Sequence, residues 1–527
     1  MNGNQRSNSA IKYPQLSIEH LKAKSVKVAD VLLPTNVELL NLPERVIQFG
    51  TGGFLRSFAD FFIDNANRNG RFNGRCVVVQ STNSGRSKML NEQDGLYTVF
   101  VKGIEGGKVI NKARVISAFS RMLSAHDEWD AILEVATKPD ITLVISNTTE
   151  VGIRFDKDDK RTEGSPDAFP AKLTLLLHKR FTHFQGNQEK GWTILPCELI
   201  KQNGDELKRC VIAYAGIWDL GNAFIKWVEE ANTFCNTLVD RIVPGSPSQK
   251  ELNELSTTLG YRDEMLINAE PYSLWAIEGD DTLADKLDLS QDNPSVIVDK
   301  DISPYRELKI GLLNGGHTLT VPIGFLIGLT TVLDNMEHPL VSSFISRLLK
   351  EEIAPSLPVD SQRSKAFVEQ VLERWKNPYI DHLLLDITFQ STNKMKARVV
   401  PNLLRYYDKF GAVPHFIAFG FAAYLTFMRA VTVKDNKFFG EHNGKPYLIN
   451  DLESAYFYES WAQADTSSPN TLDSFVQSVL SNEALWGMPL DKLDGLSQSV
   501  TKALYAILTT SPEKALEEIL DNTLSNS

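Results

Sequence analysis

Three polar side chains interrupt the otherwise apolar or glycine-rich run KIGLLNGGHT (309–318): Lys309, Asn314 and His317. Polar groups in a buried segment are costly unless hydrogen-bonded. Read as an α-helix, the run places them at about 0°, 140° and 80°, on one face. A lysine, an amide and an imidazole on one face suit the chemistry of an alcohol or a carbonyl. A neutral lysine accepts the hydroxyl proton, and an ammonium returns it to the carbonyl oxygen. A free lysine titrates near about 10.4, so work near neutrality needs a downward shift from burial or a nearby cation. Asn314 can donate a hydrogen bond to a developing alkoxide, and His317 can orient a substrate hydroxyl. Taken singly, each residue also fits a helix cap or a satisfied core histidine. Gly315 and Gly316 weaken a helix but let another group approach closely.

A second candidate site opens the stretch VIQFGTGGFLRSFADFF. Gly50, Gly52 and Gly53 follow an apolar strand directly, and Phe54, Phe58, Phe61 and Phe62 recur at helical spacing. A glycine turn into a helix presents free N–H groups and a positive dipole end to an anion. Arg56, in the first helical turn, is poorly placed for the helix dipole, which a charged ligand would explain. The dinucleotide fingerprint is incomplete. Its third glycine falls on Leu55, and Gln80 and Ser81 stand where an acidic residue would hold a ribose hydroxyl. On local pattern alone the loop fits either a nucleotide site or a turn before a core helix.

The elements that must position these residues fall into two parts. RVIQF (45–49), CVVVQ (76–80), ITLVIS (141–146) and WTILPCELI (192–200) are strand-like, with helical patterns such as HDEWDAILEVAT (126–137) between them. Such alternation implies βαβ units and a parallel sheet. Beyond residue 300, helical periodicity takes over, as in 338–353 and 364–375. Ser303 and Pro304 suit the cap and first position of a helix. The expected organisation is an arm over 1–40, an α/β Rossmann-like unit over 41–302 and a mainly α-helical unit over 303–527.

The chain has 527 residues, 42% of them hydrophobic, and a formal net charge of −11. That charge argues against nucleic acid or an anionic membrane as the main partner. Four cysteines without a C-x-x-C pair form no disulfide framework, and a reducing cytoplasmic setting is the simple expectation. The N-terminal segment has no apolar signal core. The longest uncharged run, from Ile310 to Leu333, could cross a bilayer by length alone. Its Asn314, His317, Pro322 and threonines favour a buried core helix.

Together the motifs resemble the polyol-specific long-chain dehydrogenase family, which includes mannitol dehydrogenase and the hexuronate reductases. Gly50, Gly52, Phe54 and Arg56 match its G-x-G-x-F-x-R loop. Lys309, Asn314 and His317 match its K-x-x-x-x-N-x-x-H motif, and EPYSLWAIE (270–278) and VDRIVP (239–244) match two further segments. SNTTEVGI (146–153) and PCELIKQNGD (196–205) look most like the hexuronate reductases. The resemblance covers the chain from about residue 44. It implies NAD as cofactor, held by Phe49, Gly50, Gly52, Gly53, Phe54, Arg56, Ser81, Asn147 and Asp240. It implies Lys309, Asn314 and His317 as catalytic residues, and Asn203, Lys394 and Arg398 at a small-molecule hexuronate. A uronate carboxylate calls for a lysine or arginine, and Arg398 follows Lys394 by four residues, on the same helical face.

Two departures bear on the substrate. Mannitol-type members have an asparagine where this chain has Leu199, which cannot donate a hydrogen bond to a substrate oxygen. They also have a relay glutamate where this chain has Arg306, with Glu307 beside it. Neutral residues after the second strand leave NAD against NADP open to Arg86. A lysine base needs no metal, and no metal-ligand spacing is present. Fructuronate reductase, a mannitol-type dehydrogenase and a non-catalytic nucleotide sensor remain as alternatives.

Overall fold

The computed structural model describes residues 13–22, 31–32, 37–81, 86–148, 152–161 and 163–524. The chain divides into two compact units, Met1–Ile302 and Ser303–Ser527.

Unit 1 is built on six parallel strands: β1 (Glu44–Phe49), β2 (Arg75–Gln80), β3 (Phe119–Ser124), β4 (Leu143–Ser146), β5 (Thr193–Pro196) and β6 (Thr233–Phe234). Their order is β3-β2-β1-β4-β5-β6. This is the order of dinucleotide-binding sheets, which reverses direction between β1 and β4. The strands are apolar on both faces because both are covered. Val46, Val78 and Ile145 pack with Phe58, Phe62 and Ile63, the last two on helix α1 (Ala59–Arg68). Ile47, Phe49, Val77 and Val144 point the other way, onto Trp129, Ile132 and Leu176.

Unit 1 also holds strands that the βαβ pattern did not announce. Tyr97–Glu105 and Lys108–Ile116 form a hairpin turning on Gly106 and Gly107, both at positive φ. The described parts of the N-terminal arm are not an appendage. Val31–Leu32 extends this hairpin as an edge strand. Leu16 is fully buried with Phe100, Tyr261 and Leu266, and its N–H donates to the Arg262 carbonyl at 2.9 Å. Residues 1–12, 23–30 and 33–36 of the arm lie outside the described residues.

Unit 2 is mainly helical. Helix α2 (Ser303–Ile327) is long and apolar enough to cross a bilayer, yet most of it is buried inside the protein. It is α-helical to Leu308, π-helical over Lys309–Gly315 and α-helical again from Gly316. Helix α3 (Ser361–Trp375) packs against it, as does α4 (391–410), whose Met395–Val399 segment is also a π turn. The apolar α5 (His415–Phe427) has a polar anchor at its start. The buried Glu352 carboxyl accepts hydrogen bonds from the N–H groups of Phe416 and Ile417, both at 2.8 Å. Burial pushes its pKa up to about 8. A three-stranded antiparallel sheet over 432–449 breaks the helical pattern expected there.

All four cysteines, Cys76, Cys197, Cys210 and Cys235, are unpaired and buried. Burial pushes the Cys210 and Cys235 thiols up to about 11 and about 12, and Cys76 and Cys197 rise well above their ordinary value for the same reason.

Candidate active site

In unit 1 the glycine loop leaves β1 at its carboxyl end. Gly50 has φ +123°, and a Cβ there would lie 2.6 Å from the Asn147 carbonyl oxygen, at the end of β4. This close approach spans the point where the strand order reverses, the position at which such sheets bind ligands. A Cβ on Gly53 would collide with Ile267, whereas one on Gly52 would meet nothing within 4 Å. The loop is therefore held tightly at both ends and open in the middle, as a backbone cradle for a pyrophosphate requires.

The other expected cofactor residues divide. Ser81 is exposed just past β2, and its neighbour Gln80 is buried. Asn147 is half-buried, its amide donating to the Cys197 carbonyl at 2.6 Å. Asp240 is buried at the end of the strand Thr237–Asp240; the next residue, Arg241, donates to the carbonyls of Ser57 and Glu270 and so ties this segment to the glycine-loop helix. Phe54 stacks on Phe58 at 4.7 Å. Phe49 is a core residue packed on Phe169 at 4.9 Å, so only its backbone borders the loop.

Two expectations need correction. Arg56 is not presented to a phosphate. It is buried, donates to the carbonyls of Met265 and Thr51, and lies over the Tyr97 ring at 5.3 Å. A buried guanidinium needs acceptors, and the loop carbonyls of Thr51 and Met265 supply them, so Arg56 braces the loop from beneath. Asn203 is likewise buried. Its amide donates to the carbonyls of Pro196 (2.9 Å) and Glu198 (3.1 Å), and its oxygen accepts from the N–H of Thr237 (2.8 Å). It knits β5 to the strand Thr237–Asp240 and does not face a substrate. Arg86 has no described side chain, so its expected part in cofactor choice lies outside the described residues.

Glu198 was not anticipated. Its buried carboxylate accepts from the Thr148 N–H (3.0 Å), the Thr148 hydroxyl (3.1 Å) and the Ser146 hydroxyl (3.1 Å). It clamps the ends of β4 and β5 on either side of Asn147, and burial raises its pKa. Leu199 beside it is 60% exposed.

In unit 2 the π turn changes the geometry of the Lys309 segment. Residues five apart, 140° apart in an α-helix, come near one face where bonding runs i→i+5. Lys309 and Asn314 are five apart and bracket that turn. Lys309 is only 8% exposed. His317, one α-turn beyond Asn314, is 7% exposed and lies against the Trp375 ring at 4.1 Å and the His382 ring at 5.3 Å. Burial first, then the positive charge of His382, Arg374, Arg398 and Lys394, holds its pKa well below 6.5. His317 is thus a neutral imidazole, one nitrogen donating and the other accepting.

That list of charges defines the rest of the site. Lys394 and Arg398, both expected, sit within electrostatic reach of His317, and Lys394 Nζ donates to the Ile387 carbonyl at 2.7 Å. Arg374, buried at the end of α3, and His382 join them, and neither was singled out from sequence. Lys396 is exposed and donates to the Ala484 carbonyl. Arg306 is half-buried, with its pKa lowered by burial against the opposing pull of Glu307. Glu307 pairs with Arg405 at 2.5 Å.

A strand order of the dinucleotide-binding type, a tight glycine loop at its switch point and a buried lysine and imidazole flanking a half-buried amide define a nicotinamide-dependent oxidoreductase. The comparisons make the family plain. Residues 44–291 match the mannitol dehydrogenase Rossmann domain and residues 301–508 the mannitol dehydrogenase C-terminal domain, so the chain belongs to the mannitol dehydrogenase family. Altronate oxidoreductase of Bacillus subtilis (strain 168) is 38% identical over 476 residues, covering 90% of this chain and 95% of its own. Altronate oxidoreductase of Escherichia coli O7:K1 is 39% identical over 480 residues, covering 90% and 96%. The fold is shared with Pseudomonas fluorescens mannitol 2-dehydrogenase in a ternary complex with NAD and D-mannitol (TM-score 0.69, 22% identity, 96% and 99% covered). A D-sorbitol dehydrogenase in substrate-free form is similar (TM-score 0.76, 22% identity, 95% and 100% covered).

Proposed function

We propose that this oxidoreductase interconverts D-tagaturonate and D-altronate with NAD(H), as the names of its 38–40% identical relatives suggest. The observation that carries the choice of a uronate is the cationic group about the neutral His317. Arg374, Lys394 and Arg398 supply the positive charge that a carboxylate needs. Leu199 and Arg306, in place of an amide and a carboxylate, speak against a mannitol-type substrate in the same direction.

The glycine loop, with Gly50 against Asn147 and Gly52 open, fits a dinucleotide, and we assign Ser81, Asn147 and Asp240 to the same cofactor. Bound NADH supplies the hydride. The chain supplies the rest. In reduction, the Lys309 ammonium gives a proton to the ketone oxygen: its N–H bond breaks, the O–H bond of the product forms, and solvent reprotonates the amine. Asn314 donates a hydrogen bond to that oxygen while negative charge builds on it. His317 orients a hydroxyl of the sugar chain, and Arg374, Lys394 and Arg398 hold the carboxylate. Burial of Lys309 and His317 keeps water from competing for these contacts. Four unpaired cysteines fit the cytoplasm.

The test is NADH oxidation by the purified protein with D-tagaturonate. Turnover of D-tagaturonate above D-fructuronate and D-fructose is expected. Clear turnover of D-fructuronate with none of D-tagaturonate overturns the substrate, and NADH binding without turnover of any of the three overturns the enzyme reading. Lys309→Ala is expected to lower kcat by about 10²–10⁴-fold with the NADH Kd unchanged.

A further inference from the structure

Asn402 lies on α4 and is completely buried. Its Nδ2 donates to the carbonyl oxygen of Gly311 at 3.1 Å, inside the π turn of α2. Its Oδ1 lies 3.4 Å from the Arg405 guanidinium, which in turn pairs with Glu307 at 2.5 Å. Glu307 and Gly311 are four residues apart on α2, and Asn402 and Arg405 three apart on α4. Two polar ties therefore join the same pair of helices at successive levels, bracketing Lys309.

The fit is close because both α2 positions facing Asn402 are glycine. A Cβ on Gly311 would lie 3.2 Å from Asn402 Oδ1, and a Cβ on Gly315 would lie 2.8 Å from Asn402 Nδ2 and 3.4 Å from the Arg398 carbonyl. The amide thus sits in a notch cut by Gly311 and Gly315. π turns are rare and occur mostly as single bulges within α-helices. Such uncommon backbone states persist where the surroundings over-determine them. Here the surroundings include one buried amide, held at both ends, that reaches the turn's own backbone.

We propose that Asn402 is a positioning residue: it holds the π turn that aligns Lys309 with Asn314 and sets the register between α2 and the helix bearing Lys394 and Arg398. It touches neither substrate nor cofactor. The inference rests on the reading of Lys309 as proton donor. An apolar residue at 402 leaves the Gly311 carbonyl without this donor and lets the turn relax toward α-helical spacing, which swings Asn314 away from Lys309. A misplacement of about 1 Å at reacting groups costs on the order of 10²-fold in rate.

Asn402→Ala and the volume-matched Asn402→Leu are measured beside Lys309→Ala with NADH and D-tagaturonate. In the Asn402 variants the NADH Kd is expected to stay within about 2-fold, as the loop that binds it is in unit 1. Their kcat is expected to fall on the order of 10²-fold, more than KM rises, and the pH limb of kcat is expected to move as Lys309 changes surroundings. Wild-type kcat and pH limb per folded site overturn the proposal. So does failure of both variants to fold, which would make Asn402 a residue of general stability. Wild-type rates in Lys309→Ala overturn the proton-donor reading, and with it the premise. A dead Lys309→Ala beside unaffected Asn402 variants overturns this inference alone.

Discussion

His317 shows how a single side chain's state is fixed by its neighbours. Its folded-state pKa lies well below the 6.5 of an unfolded chain, with burial the largest cause. Below pH 6.5 the unfolded chain binds a proton that the folded protein refuses, so stability present above 6.5 is lost as pH falls. The Tm of the protein is expected to drop between pH 7 and 5, and His317→Asn to drop less over the same interval. An equal slope in the variant would show that His317 is already protonated in the folded state. At this scale the sequence was informative about which residues matter and poor on where they point. Lys309, Asn314 and His317 stood out because three polar groups in an apolar run demand a reason. Arg56 and Asn203 misled because sequence cannot tell a polar group aimed at a ligand from one aimed at a backbone carbonyl. Arg374 and His382 reach His317 only through folding, across more than fifty residues of chain.

At the scale of elements, the glycine loop gives the sharpest contrast. Gly50 combines positive φ with a backbone oxygen 2.6 Å from any Cβ, whereas Gly52 is extended and faces open space. Gly50→Ala carries backbone strain on the order of 1–3 kcal/mol and pushes the loop off the end of β4. Its NADH Kd is expected to rise on the order of 10-fold or more by fluorescence titration. Gly52→Ala leaves the protein's own packing intact, so its Tm is expected to match the wild type, and any loss of affinity there reports crowding of the dinucleotide itself. A loss of Tm in Gly52→Ala would contradict the open middle of the cradle. The strands of the parallel sheet were readable because both faces are buried and the runs are continuously apolar. The 97–116 hairpin escaped the βαβ pattern although Gly106-Gly107 is a strong turn signal. The 432–449 sheet escaped because its strands are largely exposed and carry little apolar alternation. The π turn was invisible, since periodicity assumes 100° per residue throughout.

For the whole molecule, sequence periodicity separated an α/β part from a helical part, while the strand order that defines the first unit exists only in the pairing of distant strands. Neither unit carries both halves of the proposed chemistry: the dinucleotide loop belongs to the first and the lysine–amide–imidazole set to the second. The four buried cysteines have a practical consequence. Thiolate is the reactive form of cysteine, and here all four thiols are shielded and held protonated at neutral pH. A disulfide reagent such as DTNB is expected to find no thiol in the native protein at pH 7.5 and four after denaturation; rapid release in the native state would contradict their burial. The wild-type chain is then already a silent background for spectroscopy. A single cysteine introduced on an exposed position of either unit would take a fluorophore or spin label alone, with no native residue to remove first.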